Sequence, residues 1–199
     1  MVFYGGLMQA RAIATRTQLL DVTVDVLHGC GYAGTTTQAV CRAAGVSRGT
    51  LQYHFPTRED LLVAALDHVL SEVVQSFVQA HRGMPIEDPE ELVQSMWQQW
   101  QGPALTAWLE LAVAARTHEP LRAPMAEVMH RFDELVMQSF SQLVEPSRIP
   151  EPLRAGAPFF VFAVLNGLAV GRGYDGSNSD REVLQMLTWL GRSVLGGAA

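Results

Sequence analysis

Arg48, Thr50, Gln52 and Tyr53 follow one another closely after the tripeptide Gly45-Val46-Ser47. A guanidinium, a hydroxyl, a carboxamide and a phenol are groups that hydrogen-bond base edges and phosphates. Leu51 and Phe55 are interleaved with them at helical spacing, so both lie on one face. With those two turned inward, Thr50, Gln52 and Tyr53 project outward and Arg48 stands at the helix start. Such a set suits a major groove. The plainer alternative is an αα-hairpin with a solvated face.

No other stretch carries a constellation for bond-making chemistry. HExxH, a nucleophile elbow and a Walker loop are all missing from the sequence, as is a paired acid and base. His118-Glu119 and the isolated His28, His54, His68, His81 and His130 have no ligand spacing, so no metal and no cofactor are expected. Gly171-Arg172-Gly173-Tyr174-Asp175-Gly176 spells GxGxxG. It follows a helical pattern and not a strand, and reads as a helix C-cap and turn.

The elements that must position the candidate residues are all helical. Ile13, Leu20, Val24 and Leu27 recur on one helix face, ending at Gly29–Gly31. Thr35-Thr36-Thr37-Gln38 offers a capping start, Thr35 with Gln38, for a short helix to Ala44. Gly45 supplies the left-handed residue of a tight reversal. Ser47 caps a second short helix, closed at Pro56. Val40, Ala44, Val46, Leu51 and Phe55 fall where these two helices must pack together. Thr57 with Asp60 then caps a long helix with the stripe Leu61, Leu62, Ala65, Leu66, Val69, Leu70, Val73 and Phe77. Asp88-Pro89 restarts the chain as cap and first helical residue. Further helices are expected over 104–117, 120–144, 152–171 and 179–195, the last with Ser179 and Glu182 as a capping box. No period-two run appears, so the chain reads as all-α, with about nine helices.

Charge divides unevenly along this frame. The 199 residues carry a formal charge of −6, which taken alone argues against nucleic acid. Up to Arg58, however, five arginines face two acids, a net +3, and the remainder is net −9. A basic head thus precedes an acidic body, and every basic residue is arginine. Cys30 and Cys41 lack CxxC spacing and read as small, buried, reduced thiols. The apolar run Ala157–Val170 is too short to cross a bilayer, and the apolar start lacks the charged region of a secretory signal. A cytoplasmic protein without a membrane partner is expected.

The ordered run Gly31-Tyr32, Thr36-Thr37, Val40-Cys41, Ala44-Gly45-Val46-Ser47-Arg48-Gly49-Thr50-Leu51-Gln52-Tyr53-His54-Phe55 and Arg58-Glu59-Asp60-Leu61-Leu62 closely resembles the N-terminal DNA-binding domain of TetR-family transcriptional regulators. The similarity spans roughly residues 12–68. It implies that Thr37, Gln38, Arg48, Gly49, Thr50, Gln52, Tyr53 and His54 face DNA, and that Arg58 contacts phosphate where the family usually has lysine. Thr36 is implied as the cap. Gln52 stands at a usual tyrosine and can pair with adenine through two hydrogen bonds. Cys41 stands at a usual alanine.

The body adds two expectations. Ala163, Gly167 and Gly171, four apart, form a flat strip that lets two helices approach closely, and Asn166 beside them could hydrogen-bond across an interface. A helix-turn-helix reads only a half-site, so a homodimer is expected, and the resemblance implies pairing through the last two helices. The alternative is packing inside one domain. Met96, Trp97, Trp100, Trp108, Met129 and Phe132 form an aromatic and methionine set that reads either as core or as the wall of a ligand pocket. If a pocket, Glu110 and His118 would favour a cationic or hydrogen-bond-donating ligand.

Together these readings describe a DNA-binding domain at 1–58 and an effector-binding and dimerisation domain at 59–199. The expected function is a sequence-specific regulator, a repressor released from a palindromic operator in double-stranded DNA by an unidentified small-molecule effector. The alternatives are a small helical enzyme using the C-terminal cavity and a helix-turn-helix adaptor binding a protein partner.

Overall fold

A computed structural model describes residues 3–82, 88–145, 147, 149–175 and 179–195, with side chains from Met8 onward except those of 172–175, 179 and 195. Ten helices and no strand occur among the described residues. They are α1 (Phe3–Gly34), α2 (Thr37–Ala44), α3 (Arg48–His54), α4 (Arg58–Ala80), α5 (Pro89–Trp100), α6 (Pro103–Ala115), α7 (Glu119–Leu143), α8 (Glu151–Arg154), α9 (Ala157–Asp175) and α10 (Ser179–Leu195). The expected helix over 152–171 is two, α8 and α9, because the chain turns at Ala155-Gly156, where Gly156 N–H bonds the Leu153 carbonyl. The GxGxxG string begins inside α9, which continues through Asp175, so Gly171 is not its C-cap; Gly176 lies outside the described residues.

Packing gathers the chain into two units. The first takes residues up to Leu70 together with Thr106–His130; the second takes Ser71–Leu105 with the chain from Arg131 on. The core of the first unit joins Leu19, Leu20 and Val24 of α1, Val40 and Ala44 of α2, Leu51 and Phe55 around α3, and Leu61 and Ala65 of α4. Each belongs to an apolar stripe at three- and four-residue spacing, and burial of a leucine of this kind contributes about 1.5–3 kcal/mol. Ile13 is not part of it. It is 60% exposed, because the buried face of α1 begins only at Leu19. Cys30 is exposed, because no residue of α1 beyond Leu27 is buried, and Cys41 on α2 is half-buried where it packs against the edge of this core.

Local signals set the helix ends. Thr57 and Asp60 cap each other reciprocally, the Thr57 N–H to Asp60 Oδ2 at 3.1 Å and the Asp60 N–H to Thr57 Oγ1 at 3.0 Å. Asp88 accepts from the Glu90 N–H at 3.0 Å, with Pro89 at the first helical position. The side chain of Ser179 lies outside the described set. By length and composition α4 could cross a membrane. Leu61, Leu62, Ala65, Leu66 and Leu70 are buried along one of its faces, as in a core helix.

Candidate nucleic-acid interface and ligand cavity

The helix-turn-helix is built by short-range capping. Thr36 accepts from the Ala39 N–H at 3.1 Å and starts α2, while Thr35 is buried and donates to the Gly31 carbonyl at 2.7 Å. The cap is therefore Thr36 and not Thr35, because the Thr35 hydroxyl already closes the end of α1. At the other end Gly45 adopts φ +65°, and the Val46 N–H reaches back to the Cys41 carbonyl at 3.1 Å. Ser47 then accepts from the Thr50 N–H at 3.1 Å and starts α3. Gln18 on α1 holds the turn by donating to the Ala44 carbonyl at 3.1 Å.

This scaffold presents a polar surface. Leu51 and Phe55 are buried, and Gln38, Arg48, Gly49, Gln52 and Tyr53 are exposed. Thr37, Thr50 and His54 are half-buried, Thr50 with its hydroxyl 2.9 Å from Ser47 Oγ. Tyr53 is 80% exposed and touches only the edge of the His54 ring among the recorded ring contacts. A large aromatic held in water is suited to a contact outside the chain. A Cβ at Gly49 would meet nothing nearer than Ser47 Oγ at 3.8 Å, so this face of α3 is open to close approach.

Arg58 has other partners. Its Nε donates to the Thr35 carbonyl at 2.7 Å and its Nη2 to the Tyr32 carbonyl, its guanidinium lies 4.2 Å over the Tyr32 ring, and Nη1 is 3.8 Å from Glu59. The fork that the resemblance assigns to a phosphate is here bonded to carbonyls at the end of α1, since a planar fork matches two outward carbonyls as well as it matches an anion. Nearby, Glu110 accepts from the Tyr32 N–H at 2.6 Å, and His118 lies 3.2 Å from Glu59 Oε1.

The second unit forms a half-open cavity of about 500 Å³. Its wall comes from α4, α5 and α7–α10, with Phe77, Met96, Trp100, Val136, Phe162 and Leu187 among its residues. Of the residues expected to line a pocket, Met96 and Trp100 do so. Phe132 stacks on Trp100 at 6.0 Å between centroids, and Trp97 is buried without reaching the wall. Trp108, Glu110, His118 and Met129 belong to the first unit and do not line this cavity. Glu110 and His118 are held by Tyr32 and Glu59, partners far along the chain that spacing did not reveal. Instead, the sequence expectation missed the contributions of α8–α10, whose apolar residues read as ordinary core.

On α9, Ala163, Gly167 and Gly171 are exposed, and nothing lies within 4 Å of a Cβ added at either glycine. Asn166 instead accepts from the Trp100 indole N–H at 2.7 Å, within the chain, because it turns toward α5. Phe159 and Val170 on α9, and Met186 and Trp189 on α10, are exposed apolar residues.

A capped helix-turn-helix with an exposed polar helix, among described residues that form helices and no strand, is the architecture of a DNA-binding transcriptional regulator. Residues 19–65 match the family model described as bacterial regulatory proteins, tetR family. An uncharacterized HTH-type transcriptional regulator of Mycobacterium bovis is 26% identical, over 83% of this chain and 86% of its own. The HTH-type transcriptional regulator BetI of Klebsiella pneumoniae is 25% identical, over 87% and 89%. Among solved structures, the multidrug binding protein EbrR, complexed with imidazole, is 28% identical with a TM-score of 0.61, over 88% of this chain and 93% of its own. A transcriptional regulator from Rhodococcus sp. Rha1, 20% identical with a TM-score of 0.62 over 91% and 94%, shares the fold. Residues 19–65 are thus similar to the tetR family of bacterial regulatory proteins, and over most of its length the chain is similar to HTH-type transcriptional regulators.

Proposed function

We propose that this chain is a homodimeric repressor that holds a palindromic operator in the cytoplasm and leaves it when a small-molecule effector enters the second-unit cavity. The observation that carries the reading is the exposed row Arg48, Gln52 and Tyr53 on α3, held outward by buried Leu51 and Phe55. In this reading Gln52 and Tyr53 meet base edges, Arg48 and Gln38 meet phosphate or bases, and Thr37, Gly49, Thr50 and His54 complete the surface. Arg58 acts one step back, fixing the end of α1 beside the start of α4. Residues 1–58 serve as the reading domain and 59–199 as the sensing and pairing domain.

Two copies pair through α9 and α10. Support comes from the open strip of Ala163, Gly167 and Gly171, flanked by exposed Phe159, Val170, Met186 and Trp189. Two-fold pairing presents two α3 helices to half-sites about 34–36 Å apart, so effector-driven drift of a few ångströms loses one half-site.

The test is selection of bound duplexes from a random pool with the purified protein. The expected result is an enriched palindrome, with R48A and Y53A each weakening its binding. No enrichment, or unchanged affinity in both variants, overturns the reading and favours a protein-binding adaptor.

A further inference from the structure

We propose that the effector is an uncharged, largely hydrocarbon molecule with at most one hydrogen-bonding group; this rests on the ligand-controlled regulator just described and names the ligand class of its cavity. The wall is the first argument. Among the described residues that line the cavity none carries a charge, and the only side chains with hydrogen-bonding groups are Gln99, Trp100 and Ser139. An ion moved into such a site loses its hydration and finds no counter-charge, which sets its affinity well below that of a neutral ligand of equal size.

The polar groups narrow the class further. The Trp100 indole N–H is already donated to Asn166 at 2.7 Å, and the Ser139 hydroxyl to the Leu135 carbonyl at 2.6 Å. Gln99 is left as the one wall side chain able to donate to a ligand. Cation–π recognition, the remaining way for an apolar wall to hold a cation, needs free aromatic faces. Trp100, the wall ring best suited to a cation, instead stacks on Phe132 with its ring plane inclined at 24°, and both pack at 73–74° against Phe162, 5.2–5.3 Å between centroids, which leaves that role to the weaker rings of Phe140 and Phe160. Glu110 and His118, which would have supplied charge, bond Tyr32 and Glu59 in the first unit. The volume of about 500 Å³ lies within the usual range of small-molecule pockets, and half-exposed Leu153 and Phe160 give it an apolar rim.

The test uses one tail with three heads: dodecanol, dodecanoate and dodecyltrimethylammonium, each kept below its aggregation threshold. Displacement of the neutral fluorophore N-phenyl-1-naphthylamine from the intact protein reports binding. Dodecanol is expected to displace it at a concentration at least about tenfold lower than either ion. Q99L is expected to weaken dodecanol several-fold while leaving the fluorophore within about twofold, since only the alcohol uses the amide. V161W, which fills the cavity, is expected to lower fluorophore binding while the far-ultraviolet helical signal is kept. If either ion binds as tightly as the alcohol, or none of the three binds to wild-type protein, the proposal is overturned. Release of the selected duplex is measured in parallel. Alcohol binding without release supports the ligand class and overturns effector control, whereas release by an ion alone overturns the ligand class and leaves the regulator reading standing.

Discussion

At Gly31 the backbone turns to φ +67°, ψ 179° inside what is otherwise a continuous α1. A Cβ there would stand 3.1 Å from Glu110 Oε2, the carboxylate that accepts from the next N–H. Gly45 has nearly the same φ, +65°, with nothing within 4 Å. The two differ in ψ, 179° at Gly31 against 29° at Gly45, so Gly45 is left-handed helical whereas Gly31 lies in a region essentially restricted to glycine. Gly45→Ala is expected to cost about 1 kcal/mol, the price of a left-handed alanine. Gly31→Ala is expected to cost about 1–2 kcal/mol more in urea unfolding, since its backbone region is less open to alanine than the left-handed helical one and the side chain must also displace a hydrogen-bonded carboxylate. Equal losses in the two variants would show that Glu110 does not confine this position. Arg58 carries a related lesson: its charge beside the helix-turn-helix was legible, but its carbonyl partners were not, because they exist only once α1 and α4 are packed.

Among the elements, α2 and α3 follow from local chemistry. Thr36, Gly45 and Ser47 define their ends through bonds spanning only a few residues. The elements of the body are less local. The split of α8 from α9 falls at Gly156, two residues before Pro158, a stop that lies inside the stretch expected as one helix, and the wall of the cavity depends on which stripes of several helices converge. At α9 the open glycine strip leads to an element-level prediction. In a lone helix Gly167→Ala adds about 1 kcal/mol of stability through helix propensity. Gly167→Leu is tolerated by the single chain as well, yet it fills the space that a second copy needs. Light scattering after gel filtration should report a dimer for wild type and a shift toward monomer for Gly167→Leu, with weaker operator binding. A leucine variant that stays fully dimeric places the pairing surface elsewhere.

For the whole molecule, the formal charge of −6 averages a basic head with an acidic body. The head meets DNA in the proposed function, so binding should fall with salt as phosphate contacts release counterions. The slope of log K against log salt is about −0.9 for each phosphate neutralised. Arg48→Ala is expected to flatten that slope by about one contact if Arg48 meets phosphate. An unchanged slope with weaker binding would instead assign it to a base edge. The acidic body predicts that sequence-independent binding is weak beside the selected duplex, which competition with random DNA measures.

The sequence by itself determined the helical class, the helix-turn-helix, its Gly45 and Ser47 caps and the outward row on α3. Each of these depends on residues a few positions apart, where propensity and hydrogen bonding act before any long-range packing. Tertiary structure alone decided where Glu110 and His118 go. Their partners Tyr32 and Glu59 are 78 and 59 residues away, and no periodicity encodes such pairs. That one outcome also decided the character of the cavity. With both groups held in the first unit, the described wall of the second has no charged side chain, which removes the ground for the cationic half of the expected cationic or hydrogen-bond-donating ligand and leaves a neutral one as the proposal.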